Sequence, residues 1–206
     1  MAQSFDFYYD FESPFAYLAA TQLPALCERT GAVCRYRPIF LAGLMKATGN
    51  RPPGEVPNKG RYLMQELQLW RKAFDVPLEW PVHFPLGELR PIRAAVYAFG
   101  ESERAGVAFT QALYRAHWGE RKDARSDAVV QAAAEAAGLD FAALQAAVQD
   151  PALKERLKAE TEEAGGRGAF GVPTFFVGEQ MLWGVDKLPW LEALLLGKPL
   201  TLPRCG

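Results

Sequence analysis

Ser4-Phe5-Asp6-Phe7-Tyr8-Tyr9-Asp10-Phe11-Glu12-Ser13-Pro14-Phe15-Ala16-Tyr17-Leu18 is the stretch on which the fold turns. From Ser4 to Phe11 aromatic and polar residues alternate with the period of a half-buried strand, and Glu12-Ser13-Pro14 stops it. Pro14 suits the first turn of a helix, where its missing N–H is not needed. Ser13 is then the natural N-cap of a helix over Phe15 to Arg29, with Tyr17, Leu18, Leu23 and Leu26 at helical spacing and Gly31 as its stop. Val33 to Ile39 reads as a second strand, so the opening predicts a right-handed parallel βαβ unit.

Beyond it the pattern changes. Gly49-Asn50-Arg51-Pro52-Pro53-Gly54-Glu55-Val56-Pro57 reads as a loop, Lys59 to Phe74 regains helical spacing, and Val76 to Pro81 reads as extended chain. Leu89 to Glu163, rich in Ala, Leu, Glu and Arg, predicts an all-helical block with breaks near Gly100, Gly119, Gly138 and Asp150-Pro151. After a Gly165-Gly166-Arg167-Gly168 linker, Pro173 to Val177 and Gln180 to Trp183 form a hairpin turning at Gly178-Glu179, and Asp186 to Leu196 closes the chain as a helix. The sum is α/β: βαβ, helical insertion, ββα. We divide it into a sheet-bearing unit over residues 1–60 and 166–206 and a helical insertion over 61–165.

The 206 residues are half hydrophobic with a formal net charge of −1, the composition of an ordinary globular protein. No basic surplus points to nucleic acid, no apolar run is long enough to span a bilayer, and the N-terminus lacks a signal-peptide layout, so a cytoplasmic protein without a membrane segment is expected. Cys27, Cys34 and Cys205 are too few and too irregularly spaced for a disulfide framework or a CxxC motif, and read as free thiols. His83 and His117 have no partners at ligand spacing, which excludes a metal site, and no G-x-S-x-G elbow suggests a serine hydrolase.

Ser13 is the residue where chemistry concentrates. A hydroxyl at a helix mouth lies beside unpaired N–H groups and the positive end of the macrodipole, a setting that stabilises a thiolate brought in from outside. On position alone a plain capping serine is the simpler reading. At the far end of the chain, Val172-Pro173 at a strand start is a candidate cis bond, which would turn the Val172 backbone toward a ligand. Together the two are more specific than either.

Ser13-Pro14-Phe15-Ala16 after a strand and the distant Gly171-Val172-Pro173-Thr174-Phe175-Phe176-Val177-Gly178 resemble the thioredoxin superfamily, in its DsbA-like branch. There the helix opens C-P-x-C; here both cysteines are absent, which removes dithiol exchange. A serine in this place resembles the kappa-class glutathione transferases and the 2-hydroxychromene-2-carboxylate isomerases. The resemblance extends through Asp10 to Leu18, Gly49 to Pro53, Val56 to Tyr62, His83-Phe84-Pro85, Phe170 to Thr174 and Trp183 to Leu188.

It implies glutathione as the cofactor: Ser13 bonding its sulfur with the Pro14 and Phe15 backbone nearby, and Val172 pairing with its cysteinyl residue. Asn50 would hold the glycyl end, Asp186 at the start of the last helix the γ-glutamyl ammonium, and Lys59 a carboxylate. Val185 stands where the families commonly have Ser or Asn, leaving its backbone alone to serve. For a small aromatic substrate the resemblance points to Lys46, Asn50 and His83, and to Phe84 where isomerases often carry tyrosine. The Gly49–Gly54 loop is closer to the kappa transferases, His117-Trp118-Gly119-Glu120 to the isomerases, and the reading commits to a glutathione-dependent isomerase, with the transferase as alternative. A homodimer is expected, as these families are often dimeric. A cysteine-free binding module, with Trp70, Trp80, Trp183 and Trp190 as its face, stays open, as does, more weakly, a redox enzyme using Cys27 and Cys34.

Overall fold

The computed structural model describes residues 3–199, so Cys205 lies outside the described residues. β1 spans Ser4–Tyr9, α1 Pro14–Thr30 and β2 Val33–Pro38. Ser13 caps α1 through Oγ, which accepts the Ala16 N–H at 3.1 Å, and Gly31, at φ 68°, returns its N–H to the Cys27 carbonyl. A serine cap of this kind contributes about 1 kcal/mol. β3 (Thr174–Val177) and β4 (Gln180–Trp183) complete a sheet ordered β2-β1-β3-β4. β1 is central: Phe7 pairs with Tyr36 in a parallel ladder and with Phe175 in an antiparallel one.

That centrality explains why β1 is buried from Phe5 to Tyr9 despite its alternating sequence. On one face Phe7 stacks on Tyr9 and Phe175, each at 5.4 Å between ring centroids, and meets the edge of Tyr36 at 5.2 Å. On the other, Asp6 is held by Arg35 and Arg167 at 2.8 Å and Arg37 at 3.4 Å. Burial pushes its carboxyl pKa up, but the hydrogen bonds from Arg167 and Arg35 outweigh that and keep it below the ordinary value.

Between the two halves of the sheet run α2 (Leu41–Thr48), α3 (Pro57–Phe74), α4 (Arg90–Glu101), α5 (Glu103–Tyr114), α6 (Asp127–Ala136), α7 (Phe141–Ala147) and α8 (Pro151–Gly166). α9 (Leu188–Leu195) follows β4. One cluster of buried side chains runs from the sheet into the helices, carried by Tyr9, Phe11 and Tyr36 against Phe99, Phe109 and Tyr114. None of the described helices is long and apolar enough to cross a membrane.

The structure corrects several boundaries. β1 stops at Tyr9 because the Asp10 carboxylate turns to accept the N–H groups of Leu41 at 2.8 Å and Glu12 at 3.2 Å. The first of those bonds caps α2, a helix with no sequence-local cap, which is why its start is not evident from the sequence. Gly100 lies inside α4; the break falls at Ser102, whose Oγ caps α5. Gly165 and Gly166 extend α8 instead of forming a linker. Asp186 does not open the last helix but sits in a 3-10 turn, Val185–Lys187, ahead of it.

Candidate functional site

The mouth of α1, the segment before β3 and the turn after β4 converge. Ser13 is 6% exposed; while its Oγ accepts the Ala16 N–H, it donates to the Val172 carbonyl at 3.2 Å. The Val172-Pro173 bond is cis. Pro14 is buried beside it and Phe15 half-buried. The hydroxyl oxygen lies at the positive end of a 17-residue helix, a position that favours negative charge by about 0.3–1 kcal/mol, more when partly buried.

Asn50 joins from the loop after α2, donating Nδ2 to the Phe170 carbonyl at 2.7 Å. Gly171 keeps the next position narrow: a Cβ there would stand 3.1 Å from Trp183 Nε1 and 3.8 Å from Asn50 Nδ2. Gly184 donates its N–H to the Pro173 carbonyl at 3.0 Å, which draws the Val185–Lys187 turn toward the proline, and that turn packs on α1. Val185 is buried; the Asp186 carboxylate is half-exposed and pairs through Oδ2 with Lys187.

The serine turn is braced from α5 and the π-helical turn Arg115–Gly119 that extends it. Tyr114 donates its hydroxyl to the Asp10 carbonyl at 2.9 Å, and Trp118 donates Nε1 to the Phe11 carbonyl at 2.8 Å. Asp10 itself is buried, and that burial raises its pKa to about 7 although it accepts backbone N–H groups. Sequence reading assigned no role to Asp10, Tyr114 or Thr110, which bonds the Tyr9 hydroxyl at 2.6 Å, because their partners lie on other elements.

On the rim, Phe84 packs against Trp80 and Trp118 at 4.8 and 5.8 Å, and the Phe84-Pro85 bond is cis. His83 Nε2 stands 3.6 Å from the Asp123 carboxylate. Glu12, next to Ser13, accepts the Gly87 N–H at 3.1 Å. Lys46 and Lys59 are exposed on α2 and α3, outside this hydrogen-bonded framework. The geometry thus draws together Ser13, Pro14, Phe15, Asn50, Val172, Val185 and Asp186, puts His83 and Phe84 on the loop that Gly87 ties to Glu12, and leaves the two lysines exposed outside that framework.

Burial raises the Cys27 thiol pKa and holds that of Cys34 well above the ordinary value, so neither thiol is primed as a nucleophile. His117 is buried, with its pKa lowered by that burial. Among the described residues no group of three or more His, Cys, Asp or Glu side chains is arranged to hold a metal ion. Two surface grooves of about 640 and 600 Å³, one beside Arg115 and Val129 and one beside Arg93 and Thr161, lie away from Ser13.

Comparison with known proteins agrees with this architecture. The DSBA-like thioredoxin domain matches residues 5–196. The chain is 39% identical over 198 residues to a 2-hydroxychromene-2-carboxylate isomerase of Sphingobium xenophagum, covering 95% of this chain and 100% of that one. It is 30% identical to glutathione S-transferase kappa 1 of Rattus norvegicus, covering 92% of this chain and 89% of that one. A solved 2-hydroxychromene-2-carboxylate isomerase superposes with a TM-score of 0.86 at 32% identity, over 93% of this chain and 94% of the other. With its serine-capped α1, cis-Pro173 and interrupting helices, the chain belongs to the family of 2-hydroxychromene-2-carboxylate isomerases and kappa-class glutathione transferases, within the DsbA-like thioredoxin domains.

Proposed function

We propose that this protein is a glutathione-dependent isomerase of the 2-hydroxychromene-2-carboxylate type, with Ser13 as its catalytic residue. The observation that carries the reading is the Ser13 hydroxyl, buried at the mouth of α1 and donating to the Val172 carbonyl at 3.2 Å. When bound, glutathione supplies a thiolate that adds to an unsaturated aryl keto acid and is expelled after rotation about the former double bond.

The residues present fit that tripeptide. Ser13 keeps its cap to Ala16 N–H while redirecting its own proton from Val172 to the sulfur, and the helix end lowers the cost of charge there. The Val172 carbonyl is then free to accept a ligand N–H. The backbone of Pro14, Phe15 and Val185 borders the same mouth. Asp186 retains Oδ1 for an ammonium while Oδ2 pairs with Lys187. Asn50 reaches the glycyl end, and Lys59 meets a carboxylate at longer range. For the aromatic substrate, Lys46, Asn50 and His83 supply charge and hydrogen bonds to its carboxylate and enolate, and Phe84 supplies apolar contact. In this reading residues 1–60 and 166–206 carry the thiol machinery and 61–165 brace it.

The test is turnover of 2-hydroxychromene-2-carboxylate with and without glutathione, followed by absorbance, beside conjugation of a general aromatic electrophile. The reading predicts isomerisation only with glutathione. Conjugation without isomerisation favours the kappa-transferase alternative, which the 30% identity to the rat enzyme keeps in view. Neither activity, with no heat on titrating glutathione, overturns both in favour of a binding module.

A further inference from the structure

Glu12 stands between the serine turn and the rim. Its side chain is partly buried, and Oε1 of its carboxylate accepts the Gly87 N–H at 3.1 Å. Gly87 lies just past His83, Phe84 and cis-Pro85 in the same loop. The opposite end of the loop is held at Trp118, whose carbonyl accepts the Glu79 N–H at 2.7 Å and whose ring meets Trp80 at 5.6 Å, with Trp80 in turn 4.8 Å from Phe84; Trp118 itself bonds the Phe11 carbonyl. Phe84 is 43% and Trp80 39% exposed, and both meet the buried Trp118 ring in edge contacts, so part of each ring remains open to solvent.

We propose that Glu12 is a positioning residue: it latches the Val82–Glu88 loop to the serine turn and thereby holds Phe84 and Trp80 as an aromatic wall that selects a planar aromatic electrophile. The inference rests on the isomerase reading of the Ser13 site and assigns it a specificity element. A carboxylate bonded to the Gly87 N–H makes a charge-assisted contact, and its loss frees both the loop backbone and the wall. The exposed parts of the two rings contribute by packing on an aromatic partner, an interaction that a glutathione thiol alone does not use.

The test compares Glu12→Ala and Glu12→Gln with the parent protein by hydrogen exchange and by kinetics. In Glu12→Ala the Gly87 amide exchanges at least about ten-fold faster, and KM for 2-hydroxychromene-2-carboxylate rises about ten-fold, while the Kd for glutathione stays within about two-fold. Glu12→Gln, which keeps one amide oxygen as acceptor, restores most of the protection and of the KM. Trp80→Ala raises the same KM without altering amide protection at Gly87. Unchanged exchange at Gly87 in Glu12→Ala removes the latch, and equal weakening of glutathione and substrate reassigns Glu12 to the serine turn as a whole. The exchange arm needs no ligand, so it reads the latch even if the protein binds no glutathione, an outcome that would strike the isomerase reading by itself.

Discussion

The floor of the site and its rim are built differently. The floor, Ser13 against Val172 with Asp10 and Phe11 behind, is buried and held by short-range backbone-directed bonds: a local cap at 3.1 Å, a cross-chain bond at 3.2 Å, and braces from Tyr114 and Trp118 at 2.9 and 2.8 Å. The rim, Lys46, Lys59, His83 and Phe84, is exposed and depends on one ion pair, ring contacts and the Glu12 carboxylate. A rigid floor suits a step shared by every substrate, the handling of one thiol. An exposed rim is where substrate preference is set, since side chains there change without disturbing the core.

The sharpest way to break this division is Ser13→Ala. If Ser13 donates to the thiol sulfur as proposed, losing its hydroxyl lowers turnover by about 10²–10³, with the fold retained at a cost of about 1 kcal/mol for the lost cap; steady-state kinetics and a thermal melt check both. Next is Trp118→Phe, which leaves the buried Phe11 carbonyl without its indole donor. It costs about 1–3 kcal/mol of stability by denaturant unfolding, whereas Phe84→Ala on the rim costs less and acts mainly on KM for the aromatic substrate.

A pH titration separates floor from rim a third way. Asp10 holds its proton up to about pH 7 in the folded protein, from an ordinary value of 3.8. Between those values the unfolded chain releases a proton the native state keeps, so Asp10 makes stability fall as pH rises through the window, and adds no slope above it. In Asp10→Asn that slope disappears, read as melting temperature from pH 4.5 to 7.5. Smallest is Lys46→Ala: an exposed charge at the rim changes substrate KM by no more than about three-fold, and the change shrinks with added salt.

Much of the floor was legible because its signals are local. Ser13-Pro14 announces a helix start within two residues, Val172-Pro173 marks a strand entry, and the aromatic run Phe5 to Tyr9 marks a strand. What remained hidden depends on partners far along the chain. α2 is capped by Asp10, 31 residues before its first turn, so nothing near Leu41 signals it. Nothing local to Tyr114 or Trp118 announces that their polar tips brace Asp10 and Phe11 across about a hundred positions. Glycine marked helix ends only approximately: Gly100 lies one residue inside the end of α4, where Ser102 caps the next helix, and Gly165 and Gly166 lie inside α8, with the positive φ of 97° falling at Gly168.

The most direct test of the central claim is the ultraviolet absorbance of the thiolate of protein-bound glutathione, titrated against pH in the parent protein and in Ser13→Ala. The account predicts a bound thiol that ionises below about pH 7.5, against about 8.5 for a free thiol, and a return toward the free value when the hydroxyl is removed. Identical titration curves for the two proteins would contradict it.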